Sequence, residues 1–220
     1  MLCTLCRCAH VYLFNACERS PVTTFRRVDV LRRGLGGGSA LVVSGTALGA
    51  LAAPAAAAVP DVDLSYLRLL TAAELLKADF QAQALASGKL EAQTAKVVRR
   101  MRAADSGHRA GLAALLNGGG QSAVTADEID FAYPHGSFDS QDAIVELGWK
   151  LGTLTLGAYL GAVLNVQTPA ARLALAQIAA NEAQQLSALA PFARRRAIGS
   201  AFAPALPIDS VSAALDEYES

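Results

Sequence analysis

After Cys17 the chain contains no cysteine, so neither a disulfide nor a thiolate metal site can be drawn through the remaining residues. Aromatic residues make up only 6% of a chain that is 53% hydrophobic, so Ala and Leu carry the apolar content. Both are strong helix formers, and that balance favours an all-helical protein over a sheet. Formal net charge is zero, and no basic stripe interleaved with aromatics is present, which removes the usual footprint of nucleic-acid binding. No glycine-rich phosphate loop follows a strand-like segment, since GLGGGSA at residues 34–40 has none before it. No Ser-His-Asp arrangement has a supporting context.

The zero net charge hides an asymmetry. Residues 1–58 hold six Arg against Glu18 and Asp29, a net charge of +4, while residues 59–220 hold thirteen Lys and Arg against seventeen acids, a net charge of −4. All four cysteines (Cys3, Cys6, Cys8 and Cys17) crowd the start. With His10 they are too cramped for zinc spacings built from two separated pairs, and residues 1–27 read as a non-structural extension. Arg26-Arg27 and Arg32-Arg33 precede an uncharged stretch from Gly34 to Pro60. A basic region, an apolar region and a run of small residues are the parts of an export signal. Paired arginines ahead of a Gly- and Ser-softened apolar run are similar to a twin-arginine signal, although RRVDVL carries one residue more than the usual spacing. Residues 28–58 are therefore expected to direct export, with Ala56-Ala57-Ala58 as the cleavage site. The other reading is an uncleaved anchor over residues 34–60, since about 20 apolar residues suffice to span a bilayer; three consecutive glycines and Pro54 weaken it.

Beyond Val59 the apolar spacing is helical. Asp63 suits the N-cap of a first helix reaching about Ser87, with a stripe at Leu67, Thr71, Glu74, Ala78 and Leu85. A second helix runs from about Leu90 to Leu116 and stops at Asn117 and three glycines. A loop of about 20 residues follows, in which His135 reads as an exposed turn residue. A third helix spans about Asp139 to Leu164. Its only internal charges after Asp142 are Glu146 and Lys150, and the uncharged run beyond Lys150 is too short for a membrane span. Thr168-Pro169 opens a fourth helix, which ends near Ala190-Pro191. The expected fold is all-α, an antiparallel four-helix bundle over residues 59–190 in up-down-up-down order, with the long loop crossing between helices two and three. Residues 191–220 form a proline-punctuated tail with a short helix at SVSAALDEY. Arg194-Arg195-Arg196 reads as a solvated turn after a helix C-terminus.

Polar groups interrupt the stripes. Glu74 lies on that of the first helix. Asp105 and His108 share a face with Met101 and Leu112, and Glu182 and Gln185 share one with Leu175, Ile178 and Leu189. Residues three apart on a helix lie one turn apart on one face. An unpaired buried charge costs several kcal/mol, so three helices aiming polar groups inward point to one shared site. Tyr159 lies near the seam of the third helix, with its hydroxyl either on this cluster or capped elsewhere. Gly148, Gly152, Gly157 and Gly161 leave that helix bare along part of its surface, for close packing or for a small cavity. Trp149 belongs at the bundle surface or under the tail.

The segments AAELLKADF, GTLTLGAYLGAV and AQIAANEAQQLSAL, in this order, make residues 62–190 resemble the bacterial ferritin-like domain family, and more narrowly its exported, twin-arginine members related to desiccation-associated proteins. The resemblance implies a di-metal carboxylate site with a Glu on helix one, a carboxylate-x-x-His on helix two, a Glu on helix three and Glu-x-x-His on helix four. Glu74, Asp105, His108 and Glu182 match, with Asp105 one methylene shorter than the usual Glu. Gly152 and Gln185 stand where the remaining two ligands are expected. Glu146 lies six residues before Gly152, roughly 9 Å down the axis and about 120° around it, and does not substitute.

Three carboxylates and one imidazole are too few to balance two divalent ions. The expected capacity is at most one iron or manganese ion, and a metal-free hydrogen-bonded core with His108 protonated between carboxylates is the other reading. The expected role is non-catalytic, stress-linked or structural and binding; the alternative is an iron- or manganese-binding oxidase or storage-type protein. No nucleic acid and no stable membrane insertion after signal removal are expected, a homo-oligomer is compatible with the sequence, and no protein partner is indicated.

Overall fold

The computed structural model describes residues 59–219, so the cysteine cluster, the paired arginines and the expected export signal lie outside the described residues. Five α-helices follow in order: α1 (Asp61–Ala86), α2 (Ala92–Gly118), α3 (Gln141–Asn165), α4 (Pro169–Leu189) and α5 (Ile208–Asp216), with a 3₁₀ turn at Ala126–Glu128. Their ends follow local chemistry. Ser140 caps α3 by accepting the Ala143 N–H, and Pro169 fills the first position of α4, where no N–H is needed. Past α2 the chain turns at Gly120, whose φ of +74° favours glycine.

Asp63 departs from its expected place. The helix starts after Pro60, and Asp63 lies inside the first turn, fully buried. Its carboxylate accepts the backbone N–H groups of Gln167 at 2.7 Å and Thr168 at 2.8 Å, so it caps α4 rather than its own helix. Burial alone would raise its carboxyl, but the Thr168 side chain, those two amides and Arg172 outweigh burial and hold it below the usual range.

α1 packs between α2 and α3, and α4 packs against α2 and α3 from the opposite corner. Fixed points set the directions. Phe80 lies against Gly148, Tyr159 reaches Glu74, and Asp63 reaches Thr168, so α3 runs antiparallel to α1. Every neighbouring pair is antiparallel, but the order along the chain is up-down-down-up, which corrects the expected up-down-up-down. The reason is the α2–α3 connection. It leaves α2 at Gly119, beside Val59 and Leu64, and enters α3 at Gln141, whose side chain accepts the Glu91 N–H at the other end of the bundle. On the way Tyr133 donates to the Leu76 carbonyl and to Asp79.

Leu67, Leu70, Leu76, Leu112, Leu116, Ile144, Leu151, Leu175 and Tyr159 are fully buried between the four long helices. Burying each such side chain contributes about 1.5–3 kcal/mol. The tail closes one side: the Leu206 N–H donates to the Gly157 carbonyl at 2.9 Å, and a Cβ at Gly161 would overlap the Leu206 carbonyl oxygen. Gly157 and Gly161 thus form a docking track for the tail, whereas Gly148 and Gly152 admit Phe80 of α1 and Leu186 of α4. α5 buries Val211 and Leu215 against the bundle. Trp149 is partly buried under the Arg195 guanidinium, 5.4 Å from the ring centre. Arg194 and Arg195 pair with Asp142 and Glu146 at 3.0 and 2.9 Å on the solvated surface, so Glu146 is engaged away from the bundle centre. His135 is exposed in its turn. No described helix is long and apolar enough to cross a membrane.

Candidate functional site

Helical spacing brings the interrupting polar groups to one point. Glu74, Lys77 and Gln81 follow one another at i, i+3 and i+7 on α1, and all three are buried. Asp105 and His108 come from α2, Glu182 and Gln185 from α4, and Tyr159 from α3. Glu74, Asp105, His108 and Glu182 each place one ligating atom within 4.8 Å of the others. The cluster foreseen from the stripes is assembled, and Gln185 and Tyr159 belong to it.

Two members escaped the sequence. Ala78 and Leu85 of the expected α1 stripe are only half-buried, whereas Lys77, Gln81 and Ala84 face inward. Lys is almost never fully buried unless paired, so the acid-rich interior was the one signal for Lys77. Its side chain is 4% exposed. Its Nζ donates to both oxygens of Glu182, at 2.7 and 2.6 Å, and lies 3.2 Å from Asp105 Oδ2 and 3.9 Å from Glu74 Oε2.

His108 Nδ1 lies on the other side of the same acids, 3.2 Å from Glu74 Oε1, 3.2 Å from Glu182 Oε1 and 3.5 Å from Asp105 Oδ1. Burial disfavours the imidazolium, but hydrogen bonds to Glu182 and Glu74, and their charges, outweigh it and lift His108 to about 9. Burial raises Glu74 despite Lys77 and His108. Burial lowers Lys77 by itself, and the charges of Glu74, Glu182 and Asp105 reverse this and raise it. Fully ionised, three carboxylates face two cations here. Tyr159 donates to Glu74 Oε1 at 2.7 Å, and burial followed by that carboxylate's charge pushes its phenol well above the usual range.

The two absent ligands have been replaced by structure. A Cβ at Gly152 would come within 2.9 Å of Leu186 Cδ2, so an apolar side chain fills the place expected for the α3 carboxylate. The Gln185 amide donates to Asp105 Oδ1 at 2.6 Å, and the Gln81 amide donates to Asp105 Oδ2 at 2.7 Å. An amide N–H that faces a carboxylate cannot ligate a cation beside it. Glu74 Oε2, Gln81 Oε1 and Gln185 Oε1 have no hydrogen-bond donor among the described residues. A carboxyl proton on Glu74 would neutralise the surplus charge.

The donor set therefore does not fit a pair of metal ions. Acid oxygens that would bridge or chelate are already held by an ammonium, an imidazole, a phenol and two amides, and the α3 carboxylate is missing. The ligating atoms of Glu74, Asp105, His108 and Glu182 are close enough together for one ion, but the Lys77 ammonium already stands among the three acids.

A family model described as ferritin-like domain matches residues 62–194 of the chain. Comparison with curated proteins returns no match.

Proposed function

This chain belongs to the ferritin-like domain family, and from that premise we propose that it is an exported, non-catalytic member, with a stress-linked or structural and binding role related to that of desiccation-associated proteins. The observation that carries the non-catalytic reading is the fate of the two absent ligands: Leu186 covers Gly152, and the Gln185 amide donates to Asp105. Oxidation at a paired metal centre needs both positions as ligands, because two divalent ions require about four carboxylates and two imidazoles. A binding role is supported by a groove of about 770 Å³ bordered by Trp149, Leu156, Leu186, Arg195 and Ile198. Export, with residues 28–58 as a twin-arginine-like signal, rests on the Arg26-Arg27 and Arg32-Arg33 pairs ahead of the uncharged run.

A second reading, an iron- or manganese-binding oxidase or storage-type protein, is favoured by one fact: four ligating atoms lie within 4.8 Å of one another. Anaerobic loading of the full chain with Fe(II), followed by metal analysis and exposure to oxygen, separates the two. The first reading expects clearly fewer than two ions per chain and no oxygen-dependent oxidation. Two tightly held ions with rapid oxidation would establish the second.

A further inference from the structure

We propose that Lys77 is the resident cation of the central site, its ammonium standing in for a metal ion so that the bundle holds its acids together and excludes divalent metals. The inference rests on the reading of a site that cannot hold two ions, and names what holds it instead.

Position comes first. Lys77 Nζ lies among Glu182, Asp105 and Glu74, the three acids from three helices that a metal would draw together. His108 Nδ1 approaches the same three acids. The ammonium thus already supplies the bridging charge between α1, α2 and α4.

Distances come second. Nζ–oxygen separations of 2.6, 2.7 and 3.2 Å suit a charged N–H donor. Metal–oxygen bonds to Mg(II) or Zn(II) are shorter, about 2.0–2.2 Å. An ammonium has three donors and no acceptor; Glu182 takes two of them, and Asp105 Oδ2 is the next nearest acid oxygen.

Displacement comes third. An entering ion would have to expel the ammonium from a place where the side chain is 4% exposed. Expulsion would leave a buried cation without its partners, and breaking such a pair is strongly destabilising. Lys77 thus blocks the site by charge and by volume together.

The two contributions separate by substitution. Lys77→Ala removes both the charge and the bulk. Lys77→Met removes the charge and keeps most of the bulk. The probe is Mn(II), read by electron paramagnetic resonance, by equilibrium dialysis and by thermal melting of the full chain at increasing Mn(II). Wild type is expected to hold no Mn(II) at the cluster and to melt at a temperature independent of the ion. Lys77→Ala is expected to bind about one Mn(II) per chain at least about tenfold more tightly than wild type, to melt higher as Mn(II) rises, and to lose both effects when His108→Ala is added. Lys77→Met is expected to stay metal-free. Should Lys77→Ala not fold alone, Mn(II)-dependent recovery of its helical circular dichroism reads the same binding.

Absence of both Mn(II) binding and Mn(II)-dependent folding in Lys77→Ala overturns the proposal. So does one Mn(II) bound by wild type and lost with His108→Ala. Neither result touches the non-catalytic reading, which falls only if wild type takes up two ions.

Discussion

Alkaline titration of His108 should loosen the bundle well below the range where lysine deprotonates. The imidazole is lifted from an ordinary 6.5 to about 9 because Glu182 and Glu74 hold its charged form against the opposing effect of burial. A group raised in the folded state contributes its full stabilisation below its unfolded value and loses it as pH climbs through the folded one. The window is therefore pH 6.5 to about 9. The gap between those values corresponds to roughly 3 kcal/mol as an upper limit. Solvent screening at the open side of the ring reduces the expected loss to about 1–2 kcal/mol, or about 2–8 °C in Tm for a domain of this size. Glu74 is also raised by burial and adds the same sign. Tyr133, Tyr159 and Tyr218 are raised above the ordinary 10.0, so melts that stop near pH 9.5 avoid them. The assay is thermal and urea unfolding at half-unit steps from pH 6 to 9.5, for wild type and His108→Gln. Wild type should lose stability steadily across the window, and the variant should start lower and change little. A flat or rising wild-type profile, or an equal slope in the variant, would show that His108 does not hold its proton between these acids.

Gly161→Ala places a methyl group against the Leu206 carbonyl oxygen; it should destabilise by about 1–3 kcal/mol and make residues 195–207 accessible to limited proteolysis, with wild-type protection counting against the docking role. Asp63→Ala leaves the Gln167 and Thr168 N–H groups at the start of α4 uncapped; chemical denaturation should register a loss of about 1–2 kcal/mol, in the range of other cap removals. Replacing both paired arginines, Arg26-Arg27 and Arg32-Arg33, with lysines should retain the protein in the cytoplasm on fractionation; unchanged export would remove the twin-arginine reading.

Where the chain is helical was legible, because Ala and Leu recur at the helical period and Gly88, Asn117 to Gly120 and Pro169 punctuate them. The direction of α3 was not, since the length of the 119–140 connection does not say at which end of the bundle it returns. Glu74, Asp105, His108 and Glu182 could be read because an acid or imidazole in an apolar stripe needs a reason. Lys77 and Gln81 escaped because a stripe at 3.6 residues per turn can be continued equally well through Ala78, and because a lysine one turn from a glutamate ordinarily pairs at the surface. Sequence proximity points Asp63 to the nearer helix start, whereas its partners lie about a hundred residues away in sequence.

The backbone pairing of Phe131 with Glu219 ties two distant stretches together. Ala132 donates to the Tyr218 carbonyl, and the rings of Tyr133 and Tyr218 lie 6.1 Å apart. The connection that sets the bundle's order is thus fastened by the segment that follows α5, so the crossover is latched only once α5 has docked on the bundle.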